Sequence, residues 1–86
     1  MPIEYRLLRS LTAREMITAL AHDGFFLRRQ AASHCRYQHP DGRRVTVSFH
    51  KSSDTFPPKT LKAIIERQAR WTEDDLERLK LLAGAE

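Results

Sequence analysis

Residues 29–47 read RQAASHCRYQHPDGRRVTV, and this stretch decides the fold that we predict for the chain. Basic or polar side chains alternate with apolar ones on both sides of Pro40-Asp41-Gly42, which is typical of two half-buried strands. A Pro-Asp-Gly sequence favours a tight turn, so we expect strands over 34–38 and 43–49 to pair as an antiparallel hairpin. The hairpin would have one apolar face and one cationic face that carries His34.

The segments on either side of the hairpin supply further elements. A capping box at residues 12–15 and apolar residues at helical spacing predict a helix over 13–22. A first strand is expected to run from about residue 25 to 30. Pro57-Pro58 predicts the entry to a second helix, and a capped third helix is expected over 71–83. The apolar stripes of these two helices are Leu61, Ile64 and Ile65, and Leu76, Leu79 and Leu82.

This order of elements predicts a single α+β domain over residues 1–86. We expect an α-β-β-β-α arrangement with the helices on one face of a three-stranded antiparallel sheet, and an added C-terminal helix. A chain of 86 residues can bury a modest core, but it leaves little room for a deep pocket. A site on the surface is therefore expected.

The composition indicates the kind of partner and the compartment. Lys and Arg number 15 against 11 Asp and Glu, which favours an anionic partner such as nucleic acid or an acidic protein, although solvated basic surface is the alternative. Cys35 is the single cysteine, so no internal disulfide can form and we expect a cytoplasmic protein. No long apolar run suggests a membrane span, and residues 1–10 do not resemble a signal peptide.

The alternation along the strands predicts which side chains share a face. One face would pack against the helices and contains Cys35, Tyr37, Val45, Val47 and Phe49. The opposite, open face would collect Arg28 and Gln30 from the first strand, His34, Arg36 and Gln38 from the second, and Arg44, Thr46, Ser48 and His50 from the third. A half-exposed sheet commonly presents polar residues to solvent, so the pattern alone leaves open whether this face is a site.

Two kinds of chemistry are not expected here. Cys35 should point away from His34 and pack as a small core residue, which disfavours a nucleophilic Cys-His pair. The spacing of Cys35, His34, His39 and His50 matches no zinc-binding pattern, so we expect no metal site.

Taken together, the motifs resemble those of the HicA (YcfA-like) family of mRNA interferase toxins. The resemblance covers residues 11–69 and leaves 70–86 as a C-terminal helical extension. It rests on Arg29-Gln30, Ala32-Ser33-His34, His39-Pro40-Asp41-Gly42-Arg43, Val45-Thr46-Val47, and Pro57-Pro58 with Thr60-Leu61. The family is similar to a minimal double-stranded-RNA-binding fold, which agrees with the predicted order of elements.

The resemblance implies a toxin that is an endoribonuclease and cleaves mRNA through the 2′-hydroxyl of the substrate, without a metal or a small-molecule cofactor. Such a reaction needs proton transfer and cations near the phosphate. His34 is the implied catalytic residue, since an imidazole exchanges protons near neutral pH. The implied RNA-binding residues are Arg28, Arg36, Arg44, Ser33, Ser48 and His50, of which His50 is also a second candidate for proton transfer.

The resemblance further implies a cognate HicB-like antitoxin protein that blocks the active face. Two alternatives remain open: a non-catalytic double-stranded-RNA-binding module, and an inactive homologue that only binds protein. Ala32 makes the second alternative plausible because the family has glycine at this position. If the position requires a positive φ, alanine would be strained or would reshape the turn that presents His34.

Overall fold

The computed structural model describes Ile3 and residues 5–81 of the chain. These residues form the α+β arrangement that the sequence predicts, with a 3₁₀ turn at Tyr5–Leu8 before the first helix. The remaining elements are α1 (Ala13–His22), β1 (Phe26–Ala31), β2 (His34–Gln38), β3 (Arg44–Ser48), α2 (Pro58–Lys62), which continues into a π-helical segment (Ala63–Gln68), and α3 (Glu73–Arg78).

The three strands form an antiparallel sheet in the order β1-β2-β3, so β2 is central. Ala31 pairs with His34 across the turn between β1 and β2. His34 in turn pairs with Ser48, at the far end of the ladder between β2 and β3. The predicted hairpin is therefore confirmed, and the register brings the start of β2 next to the end of β3.

A β-bulge in β1 changes which of its side chains reach the open face. Leu27 pairs with Tyr37, but the next paired residue is Arg29, so Arg28 is the extra residue. Gln30 pairs with Cys35, and directly paired residues lie on the same face of a sheet. The prediction that Gln30 lies on the open face was therefore wrong, because a bulge shifts the alternation by one residue.

Capping boxes lie at the starts of α1 and α3. Thr12 Oγ1 accepts a hydrogen bond from the Glu15 N–H at 3.2 Å, and the Glu15 carboxylate accepts one from the Thr12 N–H at 2.9 Å. This capping box satisfies two N–H groups that the helix itself leaves unpaired. Thr72 and Asp75 form the same arrangement at the start of α3.

The third helix ends earlier than predicted, at Arg78. Lys80 adopts a left-handed backbone with φ of 62°, and the Leu81 and Lys80 N–H groups donate to the Leu76 and Glu77 carbonyls. These contacts form a Schellman motif, which stops a helix and satisfies its last carbonyls. Leu82, predicted for the apolar stripe of this helix, lies outside the described residues.

The core lies between the helices and the predicted face of the sheet. That face is buried as expected, except that Phe49 is only half-buried. The buried side chains that meet there include Cys35, Tyr37, Val45 and Val47 from the sheet, Met16, Leu20, Leu61, Ile64, Ile65 and Leu76 from the helices, and Trp71 from the segment before α3. Each large apolar side chain contributes about 1.5–3 kcal/mol by leaving water. Across the described ranges, no helix is both long enough and apolar enough to span a membrane.

Candidate functional site

The imidazole of His34 is exposed on the open face, at the first position of β2. Its Nδ1 lies 2.6 Å from the Oγ of Ser48, the residue with which His34 pairs across the ladder. Because the two residues are cross-strand neighbours, the backbone ladder itself brings this hydroxyl to the ring. The hydrogen bond occupies Nδ1 and leaves Nε2 on the other side of the ring.

In the turn before His34, Ala32 has the positive φ that favours glycine. Ala32 has a φ of 53°, in the left-handed region, where alanine costs about 1–2 kcal/mol. The turn nevertheless closes the Ala31–His34 pair, and the Ser33 carbonyl accepts a hydrogen bond from the Phe49 N–H at 3.0 Å. Alanine is therefore strained at this position, and the turn still presents His34 on the strand.

Beside His34, the open face carries a basic depression that we call the arginine groove. It is defined by the side chains of Arg28, Arg29, Arg36 and Arg44, all of which are exposed. In the part of the chain that the structure describes, none of these four guanidinium groups forms an ion pair with a carboxylate. Four neighbouring cations without neutralising partners attract an anion.

The four arginines of the groove come from all three strands. Arg36 follows His34 by two residues on β2, and Arg44 pairs with Gln38 at the other end of that strand. Arg28 is the bulged residue and donates a hydrogen bond to the Gln38 side chain. Arg29 pairs directly with Arg36, which places it on the open face. Arg29 is not predicted for this face, because strict alternation assigns it to the core side and no local signal marks the bulge.

The imidazole lies at one end of this cationic surface. A strand advances by about 3.4 Å per residue, so Arg36 lies about 7 Å from His34 along β2. Gln38, the partner of Arg44, lies about 14 Å from His34 on the same basis. A polyanion that follows β2 would thus pass from the arginines to the imidazole.

His50 is separated from the arginine groove. β3 ends at Ser48, so His50 lies in the following loop and does not continue the open face as predicted. Its backbone N–H donates to Asp54 Oδ2 at 2.9 Å, while its side chain is exposed beside Ala32 and Ser33 in a shallow depression at the turn. Gln30 and Cys35, which lie on the opposite face of the sheet from His34, line the same depression, so Ser33 and His50 lie together at the turn and away from the arginines.

Asp23 organises a second polar cluster, which contacts the turn at the end of β2 opposite to His34. The Trp71 Nε1–H donates to its Oδ2 at 2.9 Å, and Arg78 Nη2 donates to its Oδ1 at 2.8 Å. Arg43 Nη1 lies 3.1 Å from Oδ2. Burial alone would raise the pKa of Asp23, but the hydrogen bonds from Trp71 and Arg78 and the charge of Arg43 together hold it below its ordinary value.

The turn between β2 and β3 is part of this cluster. His39 Nε2 lies 2.7 Å from the Asp23 carbonyl oxygen, and Arg43 Nη1 donates to the Ala69 carbonyl at 2.6 Å. The Arg43 guanidinium also lies 5.0 Å from the centre of the Phe25 ring. His39 and Arg43 therefore attach the turn to the helices, and their contacts are structural.

The other expectations about reactive groups concern Cys35 and metal ions. Cys35 is free and buried on the core face, which agrees with its predicted packing role. Among the residues that the structure describes, no group of three or more His, Cys, Asp or Glu side chains is placed to hold a metal ion.

Comparison with known proteins identifies the family. Residues 13–71 match the family model described as the HicA toxin of bacterial toxin-antitoxin. No curated protein matches the chain. The family match covers about two thirds of the chain and includes α1, the whole sheet with His34 and the arginine groove, and α2. Because the match extends over most of the chain and over the sheet that carries the candidate site, the chain belongs to the HicA family of toxins from bacterial toxin–antitoxin systems.

Proposed function

We propose that this toxin is an endoribonuclease that cleaves mRNA in the cytoplasm, with His34 as its catalytic residue. The observation that carries the proposal is an exposed imidazole, fixed at Nδ1, at the end of a groove of four arginines that form no ion pair with any carboxylate in the described ranges. Imidazole exchanges protons near neutral pH, and guanidinium groups bind phosphate. These are the groups that cleavage of RNA by its own 2′-hydroxyl requires.

In the proposed reaction, the His34 imidazole removes the proton from a 2′-hydroxyl, and the resulting oxygen attacks the adjacent phosphorus. The bond from phosphorus to the 5′-oxygen of the next nucleotide breaks, and that oxygen takes a proton. The products are a 2′,3′-cyclic phosphate and a 5′-hydroxyl end. His50 is the second candidate for proton transfer, and its position beside Ser33 keeps it close to the turn that presents His34.

The arginine groove would bind the substrate on one side of the scissile bond. Arg36 is the arginine nearest to His34 along β2, so we assign it to the phosphate next to the reacting one. Arg28, Arg29 and Arg44 would then hold phosphates further along the strand. Ser33, in the turn, is the remaining candidate for a contact with RNA.

Membership of a toxin–antitoxin family implies an antitoxin partner. We propose that a HicB-like antitoxin covers the open face and places acidic groups against the arginine groove, because such contacts would exclude RNA and accelerate association. Hydrogen exchange on the complex tests this: residues 28–50 should become protected. Protection confined to the helices would contradict it.

A non-catalytic homologue that binds duplex RNA or protein is the alternative. The strained φ of Ala32 is the observation that favours it. Against it, the Ala31–His34 pair and the His34–Ser48 hydrogen bond are both formed with alanine in the turn. Cleavage separates these functions, because only the enzyme converts RNA to shorter products.

The test uses the purified full-length chain without its antitoxin, and a single-stranded RNA in a buffer that contains a metal chelator. We expect cleavage that continues in the chelator and leaves 2′,3′-cyclic phosphate ends. A matched RNA with one 2′-deoxy nucleotide at the cleavage position should resist cleavage there, since DNA lacks the attacking group. Intact RNA, or products with 5′-phosphate ends, would contradict the proposal.

A further inference from the structure

The hydrogen bond between His34 and Ser48 has two opposite assignments of donor and acceptor. Either Nδ1–H donates to the Ser48 hydroxyl oxygen, or the hydroxyl donates to an unprotonated Nδ1. The heavy atoms lie 2.6 Å apart in both cases, so the position of the proton determines what the ring can do. The two nitrogens of a neutral imidazole differ in function, because one is a donor and the other is an acceptor.

Only the first assignment leaves a nitrogen that can remove a proton from RNA. If Nδ1 carries the proton, the lone pair of Nε2 is free. If the hydroxyl donates to Nδ1 instead, Nε2 carries the proton, and the ring has no free acceptor. The first assignment also persists through the reaction, because Nδ1 keeps its proton and its bond to Ser48 when Nε2 becomes protonated.

We propose that Ser48 is a positioning residue for His34: its hydroxyl accepts a hydrogen bond from Nδ1–H and holds the neutral ring in the tautomer with Nε2 unprotonated. The catalytic role of this tautomer rests on the proposed function, whereas the tautomer itself can be measured in the free protein without RNA. Ser48 thereby acts on the histidine, whereas its contact with RNA stays a prediction.

Several features of the sheet support this role. His34 and Ser48 are directly paired, so a short side chain spans the gap between strands. The Phe49 N–H, next to Ser48, donates to the Ser33 carbonyl next to His34. The backbone therefore holds both residues at the same end of the ladder. In the described part of the chain, the His34 side chain has no second hydrogen-bond partner that could fix its tautomer in place of Ser48.

The direct test is nitrogen NMR of the His34 ring in the ¹⁵N-labelled full-length chain, at a pH where the ring is neutral. We expect protonated Nδ1 and unprotonated Nε2. Ser48→Ala should convert this single tautomer to a mixture, and Ser48→Thr should preserve it, because threonine keeps the hydroxyl. Ser53→Ala, which removes a hydroxyl from an exposed loop position, is the control and should have no effect. A protonated Nε2 in the parent chain, or an unchanged tautomer in Ser48→Ala, would overturn the proposal.

Kinetics give the second measurement. Ser48→Ala should lower kcat for RNA cleavage by about tenfold and change KM by less than about twofold, since only the orientation and tautomer of the base are altered. Ser48→Thr should restore most of kcat. Equal kcat in Ser48→Ala and the parent chain would overturn the positioning role while leaving the endoribonuclease proposal intact. If the parent chain cleaves no RNA, the proposed function fails, and the NMR result alone decides the assignment of Ser48.

Discussion

Arg43 Nη1 lies 3.1 Å from Asp23 Oδ2, so the turn between β2 and β3 is ion-paired to the residue that follows α1. Both side chains are largely buried, with 16% of Arg43 and 10% of Asp23 exposed. The Trp71 indole and the Arg78 guanidinium bind the same carboxylate. One carboxylate thus connects α1, the turn between β2 and β3, and α3, at the end of β2 opposite to His34.

Replacing Asp23 should destabilise the fold strongly. Asp23→Asn removes the buried carboxylate charge and leaves Arg43 paired only with the more exposed Asp41, and breaking a buried pair costs about 3–5 kcal/mol. We expect a loss of about 3 kcal/mol in the free energy of unfolding, measured in denaturant. Arg78→Gln is the control: this side chain is 51% exposed, so its loss should cost less than about 1 kcal/mol. Equal losses of unfolding free energy in the two variants would contradict the stabilising role of the buried Asp23–Arg43 pair.

The same carboxylate predicts a dependence of stability on pH. The pKa of Asp23 in the folded chain is lowered, whereas an unperturbed Asp has a pKa of about 3.9. Its contribution is therefore fully present above about pH 5 and is lost as the pH falls through the lowered pKa of the folded state. The difference in unfolding free energy between the parent chain and Asp23→Asn should shrink below about pH 4. A constant difference from pH 7 to pH 3 would refute this account.

Ala32→Gly should stabilise the chain. Glycine adopts the left-handed backbone of this position without the strain of a Cβ, so we expect a gain of about 1 kcal/mol. Cleavage should persist, because the Ala31–His34 pair is unaffected. Ala31→Gly, one residue earlier in β1, is the matched control and should destabilise by about 0.5–1 kcal/mol. Thermal or denaturant unfolding of both variants decides the matter: destabilisation by both would show that Ala32 is not strained.

The arginine groove should determine how RNA binding depends on salt. Each phosphate contact adds about 0.7 to the slope of log affinity against log salt for a single strand. Replacing Arg28, Arg36 and Arg44 together by Gln should therefore flatten the slope by about 2, and adding Arg29→Gln should remove about 0.7 more. Arg67→Gln, an exposed position of the π-helical segment, is the control and should leave the slope unchanged. An unchanged slope in the multiple variant would place RNA elsewhere.

Much of this site follows from the sequence because it depends on local patterns. The turn residues and the alternation of the strands predict the hairpin, and the hairpin places His34, Arg36 and Ser48 on one face. Capping boxes also predict the starts of α1 and α3, because each box joins residues that are only three positions apart in the sequence.

The remaining features depend on tertiary structure or on backbone exceptions. The bulge that brings Arg29 to the open face has no sequence signal in this chain, and Lys80 ends α3 where glycine is the usual residue. The partners of Asp23 come from residues 43, 71 and 78, which are close only after folding. β3 ends at Ser48, so the alternation of side chains that predicts His50 on the open face does not extend to it.

The central claim is that His34 transfers a proton during RNA cleavage, and His34→Ala tests it most directly when cleavage, RNA affinity and unfolding are measured on one preparation. The side chain is exposed, so the free energy of unfolding should change by less than about 0.5 kcal/mol. RNA affinity should stay within a few-fold, because the arginines are unchanged. Cleavage should fall by at least about 10²-fold. Cleavage at the parent rate by a folded His34→Ala chain would contradict the claim.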